Sequence, residues 1–368
     1  MNKLWIIVGT RPNFIKITQF KRVVDQKFPD IELKLIHTGQ HYDENMAQVF
    51  FDQFGLRPDV FLDIKPGHPA LQIAEMITKL SDLFSDSRPD MLMVVGDVNS
   101  TLAGAIAANK NEIPTAHLES GLRSFDKQMP EEHNRIIADH LSQLHFVTED
   151  SGLINLRNEG VEEKGISFVG NTMIDTLVAF TKQIEESEIL KNLGLESEKY
   201  ILTTLHRPSN VDNEMNAQLL IDLLNRLTKH GAILFPMHPR TKNKLQGLGL
   251  YSQIESNPGI HITGPASYFD FQKMVLKSEL VLTDSGGIQE ETTFLKKPCL
   301  TLRENTERPS TIEIGTNELL PFSIDAIEEK VIAIFKGMGK KGSVPKYWDG
   351  QATSRVLDRI ARYFEQGY

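Results

Sequence analysis

Short apolar runs and longer amphipathic stretches alternate along the chain. LWIIVG (4–9), ELKLIHT (32–38), DMLMVVG (90–96), PTAHLE (114–119), LHFVT (144–148) and ISFVG (166–170) are short, rich in β-branched residues and bounded by turn-formers, so each predicts a strand. A second series follows in YILTTLH (200–206), AILFPMH (232–238), IHITG (260–264), VLTD (281–284) and PCLTL (298–302). Between the runs, 70–86, 99–111, 131–143, 212–230, 268–278 and 286–296 place apolar residues at helical spacing. Strands alternating with helices predict βαβ units and parallel sheets covered on both faces. The alternation occurs twice, which predicts an α/β chain of two Rossmann-like, doubly wound domains, 1–172 and 173–349. An amphipathic helix at 350–368 is expected to pack back on the first domain. Ligands of such sheets bind beyond the carboxyl ends of the strands, so two facing domains would enclose a central cleft.

The bulk numbers narrow the classes. A length of 368 residues suits two cores better than one. Forty basic against 49 acidic residues give a net charge of −9, which disfavours a nucleic-acid partner but leaves room for a local basic cleft. No apolar run reaches membrane-spanning length, so no membrane partner is expected. The N-terminal MNKLWIIVGTRPN runs into Gly-Thr-Arg-Pro rather than a small-residue cleavage site, so it reads as a first strand and not a signal peptide. The single cysteine, Cys299, lies in an apolar run as a structural thiol, and a lone Cys suits a cytoplasmic protein. KGMGKKGSVPK (336–346) reads as a solvated basic loop.

The chemistry collects at the predicted strand ends. After the first strand, GTRPNFIK puts Arg11 and Lys16 at a helix start, where free backbone N–H groups already attract anions. TGQHYDENM brings Gln40 and His41 to the end of the second strand. GDVNST places Asp97 after a glycine, where helix capping is the alternative role. HLESGLRS puts Glu119 at a strand tip, and MPEEHNR opens a helix with Glu131, Glu132 and Arg135. The spacing of Glu131 and Arg135 also allows a simple surface ion pair. Acids gathered at one sheet edge raise one another's pKa, which can yield an acid and a base at neutral pH. The second domain supplies His206 and Arg207 in LHRPSN, and His238 and Arg240 in MHPRT. In LTDSGGIQEE, Ser285, Gly286 and Gly287 form a strand–glycine–helix turn suited to a diphosphate, with Glu291 placed to accept from ribose hydroxyls. RENTERP adds Arg303, Glu307 and Arg308. There is no dinucleotide fingerprint, no Walker lysine and no metal-ligand spacing, so neither NAD nor a metal is expected as cofactor.

In order and over nearly the whole chain, GTRPNFIK, TGQH, GDVNST, ESGLRS with MPEEHNR, LHRPSN, LTDSGGIQEE and TERP resemble the non-hydrolysing UDP-N-acetylglucosamine 2-epimerases of bacteria and archaea. The resemblance implies the GT-B arrangement, a UDP-sugar substrate and a homodimer. It implies acid/base roles for Asp97, Glu119 and Glu131, and a catalytic or leaving-group role for His206. It puts Arg11 and Lys16 on the diphosphate and sugar, Arg135 on the substrate side, and Phe271 against the uracil. Ser285, Gly286 and Gly287 would take the phosphates, Glu291 the ribose, and Arg308 the diphosphate again. Ser209, Ser310 and the arginine-free IKPGHPALQ depart from the family pattern where some members form a regulatory UDP-sugar site. The short GLRSFDKQMPEE form also occurs in relatives acting on diacetamido-uronic acids, which leaves the sugar open.

The implied reaction is elimination. A base takes the C2 proton as UDP leaves C1, and UDP adds back to the resulting glycal after reprotonation from the other face. Three rivals share the fold: a glycosyltransferase, a hydrolysing epimerase and a UDP-sugar sensor. The carboxylate set exceeds what the first requires and is intact against the last.

Overall fold

The computed structural model of the chain describes residues 1–39, 51 and 53–366. They form two compact units, 1–179 with 346–368 and 180–345, so the first division falls after Ala179 rather than at the 172/173 expected from sequence. The residues that carry the chain out of the first sheet, Thr172–Ala179, are a helix of that first unit, buried along most of its length.

The first unit holds a parallel sheet of seven strands, β1 (Asn2–Val8), β2 (Ile31–His37), β3 (Val60–Phe61), β4 (Met91–Val95), β5 (Thr115–Ser120), β6 (Leu144–Val147) and β7 (Ile166–Phe168), ordered β3-β2-β1-β4-β5-β6-β7. Strand β1 shows why it forms. Leu4, Ile6 and Val8 face one core with Phe14, Phe20 and Phe146, while Trp5 and Ile7 face another with Met76, Leu80 and Phe84. Burial on both faces turns the alternation of a half-exposed strand into a continuous apolar run. The helix Ala352–Gln366 returns to the first unit, where Val356, Leu357 and Ile360 join the Leu4 core. Asp175 anchors the start of that helix by accepting from Ala352 N at 3.1 Å and Thr353 N at 2.6 Å.

The second unit repeats the plan with six parallel strands, β8 (Tyr200–Thr204), β9 (Ala232–Pro236), β10 (Ile260–Thr263), β11 (Leu280–Thr283), β12 (Cys299–Leu302) and β13 (Asn317–Leu320), ordered β10-β9-β8-β11-β12-β13. Tyr200 and Leu202 pack on one side of β8 and Ile201 on the other. Cys299 is wholly buried and burial pushes its thiol up to about 11, which makes it a structural residue. No helix of the described residues is long and apolar enough to cross a membrane.

Candidate active site

In each sheet the strand order reverses once, between β1 and β4 in the first unit and between β8 and β11 in the second. Parallel sheets bind ligands at such switch points, beyond the carboxyl ends. The segments singled out from sequence flank both.

In the first unit, β1 runs through Gly9 and Thr10 into the helix Arg11–Ile17, which has proline in its first turn. Asn13 fixes the bend. Its carbonyl accepts from Gly9 N at 3.2 Å and Thr10 N at 3.3 Å, and its amide donates to Val95 O at 3.1 Å, tying the tips of β1 and β4 together. Arg11 is exposed at the helix start, and Lys16, one turn further in, is only 7 % exposed. Lys16 is ion-paired with Glu119.

Glu119 owes its direction to an irregularity in β5. The β5–β6 register shifts between Leu118 and Ser120, and Glu119 adopts φ 72°, a left-handed conformation unusual for a residue with a side chain. Such strain persists where surrounding structure over-determines it, and it gathers at functional sites. Gly96 is the counterpart: it has φ 65°, and a Cβ there would lie 3.2 Å from Lys16 Nζ and 3.3 Å from Glu119 Oε2. Only glycine leaves this space for the pair.

Asp97 follows Gly96 but is not the helix cap; the helix Asn99–Lys110 is capped at Val98. The Asp97 carboxylate is ion-paired with Arg135, whose other arm meets Glu132 at 2.7 Å. Arg135 therefore does not make the surface pair with Glu131 that spacing allows. Glu132 is a buried brace instead, accepting from Ser124 N, Ser124 Oγ and Phe125 N at 2.9 Å each. Glu131, half-buried in the first turn of Pro130–Leu141, has no hydrogen bond or ion pair among the described residues. Asp97, Glu119, Lys16 and Arg135 are thus joined through the Gly96 turn, with Glu131 on the helix that carries Arg135. Gln40 and His41 lie outside the described residues.

Beneath these acids is a network that sequence reasoning missed. His117 Nε2 donates to Gly96 O at 2.7 Å, and its Nδ1 meets Asp139 Oδ1 at 2.6 Å. Asp139 is also bonded to Ser120 Oγ, Gly121 N and Arg123. Burial alone would raise the Asp139 carboxyl, but the charges of His117 and Arg123 and these hydrogen bonds hold it well below the usual carboxylate range. A carbonyl oxygen only accepts, so Nε2 is the donor to Gly96. The ring locks the turn before Asp97 to the turn after Glu119. The available signal was a histidine set between Ala116 and Leu118 in the middle of a strand.

In the second unit the tip of β8 carries His206 and Arg207 and the tip of β11 carries Asp284, wholly buried. Asp284 Oδ2 accepts from His206 N at 2.9 Å, Arg207 N at 2.8 Å and Asn210 Nδ2 at 3.0 Å. The His206 ring lies against that of His238, with centroids 5.3 Å apart. Ser285 occupies the N-cap of the helix Gly286–Phe294, with no hydrogen bond from its side chain to the helix. Ser285 N donates to Thr283 Oγ1 at 3.0 Å, whereas the first N–H groups of a helix lack intrahelical partners and carry the positive end of its dipole, so the amides of Gly286 and Gly287 with the Ser285 hydroxyl offer an anion-binding turn.

Arg308 stands against this turn: a Cβ on Gly286 would lie 3.0 Å from its Nη1. Arg308 is itself held by Glu290 at 2.8 Å and Glu307 at 2.6 Å, and Glu307 also holds Arg303 at 2.9 Å. Glu291 is buried on the same helix, and Phe271 is half-buried on Tyr268–Lys277, packed against the cluster of Tyr200, Leu202 and Ile288. Arg240 is engaged with Asp212 at 2.6 Å. Among the described residues no group of three His, Cys, Asp or Glu side chains is arranged to hold a metal.

The chain is similar to known proteins over nearly its whole length. The family model for UDP-N-acetylglucosamine 2-epimerase matches residues 25–361. The UDP-N-acetylglucosamine 2-epimerase of Methanocaldococcus jannaschii is 39 % identical over 98 % of this chain and 99 % of its own length. A crystal structure of that enzyme with UDP-GlcNAc and UDP superposes with a TM-score of 0.88, at 38 % identity, covering 98 % of this chain and 99 % of the other. The UDP-2,3-diacetamido-2,3-dideoxy-D-glucuronate 2-epimerase of Pseudomonas aeruginosa is 36 % identical over 98 % of this chain and 99 % of its own. A lipopolysaccharide outer core galactosyltransferase, 14 % identical with a TM-score of 0.56 over 99 % of this chain and 100 % of its own, shares the GT-B-like fold alone. With its family model matched over most of its length and its relatives aligned end to end, the chain belongs to the UDP-N-acetylglucosamine 2-epimerase family.

Proposed function

We propose that the protein interconverts UDP-N-acetylglucosamine and UDP-N-acetylmannosamine without hydrolysing either. The C2 proton of the substrate is not acidic, since no carbonyl adjoins that carbon, so simple deprotonation is too slow. Elimination avoids the difficulty. A carboxylate takes the C2 proton, the C–H electrons form the C1=C2 double bond, and the C1–O bond breaks with its electrons passing to the β-phosphate of UDP. Reprotonation of the 2-acetamidoglucal at C2 from the opposite face, with return of UDP to C1, gives the epimer.

Asp97, Glu119 and Glu131 are the groups that remove and return the proton. Lys16 and Arg135 hold the first two in place and meet the sugar. The amides of Gly286 and Gly287 and the hydroxyl of Ser285, with Arg11, Arg207 and Arg308, hold UDP while its charge develops, the largest contribution to lowering the barrier. His206 and His238 serve the leaving diphosphate, Phe271 stacks on uracil and Glu291 accepts from ribose. Gln40 and His41 are assigned to substrate binding from the sequence alone. The protein works as a cytoplasmic homodimer and supplies a precursor for surface polysaccharide.

The observation that carries this proposal is the end-to-end similarity to enzymes of that activity. The Pseudomonas relative, nearly as similar, favours one second candidate substrate, the diacetamido-glucuronate nucleotide. Proton NMR of the purified protein with both UDP-sugars in deuterium oxide decides between them. The expected outcome is the manno epimer of UDP-N-acetylglucosamine with deuterium at C2. Turnover of the uronate alone would move the assignment, and epimer without deuterium would end the elimination mechanism.

A further inference from the structure

The carboxylate of Glu307 stands where an acid should do harm. A Cβ built on Gly286 would lie 3.0 Å from Glu307 Oε1, as near as it would lie to Arg308 Nη1, so a negative charge borders the turn that offers N–H groups to an anion. Arg308 does not offset it alone, because Arg308 is also ion-paired with Glu290 at 2.8 Å. The second cation is Arg303. Its Nη2 donates to Glu307 Oε2 at 2.9 Å while Arg308 Nη1 donates to Oε1 at 2.6 Å, so the carboxylate is shared, one oxygen to each guanidinium.

Arg303 directly follows β12 and is 8 % exposed. Burial pushes its pKa below the ordinary value, Glu307 pulls the other way, and the charges of Arg207 and Arg308 add to the effect of burial. The guanidinium stays charged all the same. A buried arginine that served only to tie strands together would bond its donors to backbone carbonyls. Among the described residues the Arg303 side chain bonds no acceptor but Glu307, and its Nη1 has no hydrogen-bond partner. Arg303 thus lies within electrostatic reach of two other guanidinium groups, beside a helix start, with one carboxylate as its tie.

We propose that Arg303 is a positioning residue for diphosphate binding: it holds and neutralises Glu307, so that Arg308 keeps its charge for the phosphates at the Gly286 turn. Arg303 does not itself touch the ligand. The proposal rests on the reading that this turn holds UDP.

The test is Arg303→Met, which fills similar space and removes the charge. Glu307 is then left to Arg308, and two carboxylates, Glu290 and Glu307, oppose one guanidinium at the turn. UDP affinity by calorimetry should fall about 30-fold. Adding Glu307→Gln removes the surplus negative charge, and the new amide oxygen can still accept from Arg308 Nη1. The double variant should therefore bind UDP within about threefold of the wild type. Arg303→Lys keeps the charge and should also stay within about threefold; it decides the matter if the methionine variant does not fold. A residue that only supports the fold, or one that grips the phosphates itself, would leave the double variant as weak as Arg303→Met, which would overturn the proposal. A loss of about 30-fold in Arg303→Lys would overturn it too. So would UDP binding by Arg303→Met at wild-type strength, a result that leaves the proposed function standing. A wild type that binds no UDP ends the proposal together with the function it rests on.

Discussion

The carboxyl edges of the two sheets are built from the same strand–turn–helix parts and spend their charges differently. At the first edge the acids are paired with cations that hold them without neutralising the chemistry: Glu119 with Lys16, Asp97 with Arg135. At the second, the buried acid is turned inward onto backbone amides, and Glu290 and Glu307 hold Arg308 beside a glycine turn. The first edge presents carboxylates; the second presents N–H groups and guanidinium. Under the proposed function one topology would serve proton transfer in one copy and anion holding in the other, because a switch point fixes where side chains converge and not which ones they are.

That contrast makes the two edges separable by experiment. The largest effect is expected from Asp97→Asn and Glu119→Gln, which should lower turnover by about 10² to 10⁴-fold while UDP affinity by calorimetry stays near wild type. A matching loss of UDP binding would erase the distinction. Lys16→Met removes one member of a buried ion pair and should cost about 3–5 kcal/mol of stability, read as a shift in the urea midpoint.

Acid provides a third probe of the first unit. Burial lowers the His37 imidazole to about 4, and burial also lowers His145. Between about pH 6.5 and pH 4 the unfolded chain binds a proton at His37 that the native protein does not. Stability is therefore full above that window and falls through it, by on the order of 3 kcal/mol for His37. Urea unfolding at pH 7.5 and 4.5 should show a smaller difference for His37→Gln. The smallest effect is expected at the second edge: Gly286→Ala puts a methyl 3.0 Å from Arg308 Nη1 and Glu307 Oε1 and should weaken UDP binding about tenfold, with stability little changed.

What was legible in the sequence follows from what each feature needs. The buried runs of β1, β4 and β8 announce themselves because both faces are covered. Strand β3, two residues long, and β13, which reads NELL with a buried asparagine and a partly exposed glutamate, carry no such signal. The helix expected at 212–230 is Glu214–Leu227, whose start is set by Asn213 capping it through its side chain, and a separate short helix, Pro208–Val211, precedes it unannounced. Most candidate site residues were found through glycine turns at strand ends, a local signal. Partners were not: Arg135 with Asp97, Asp284 with His206 and His117 with Asp139 are separated by 38, 78 and 22 residues, distances that only the fold closes.

The return of the last helix to the first core sets an order of assembly. As the chain leaves the ribosome, the second unit has all its strands before the first has received Val356, Leu357 and Ile360, which complete the packing around Leu4 and Phe20. The half synthesised first is therefore the half finished last, and a newborn chain stopped short of its final helix carries an open apolar seam for chaperones to cover.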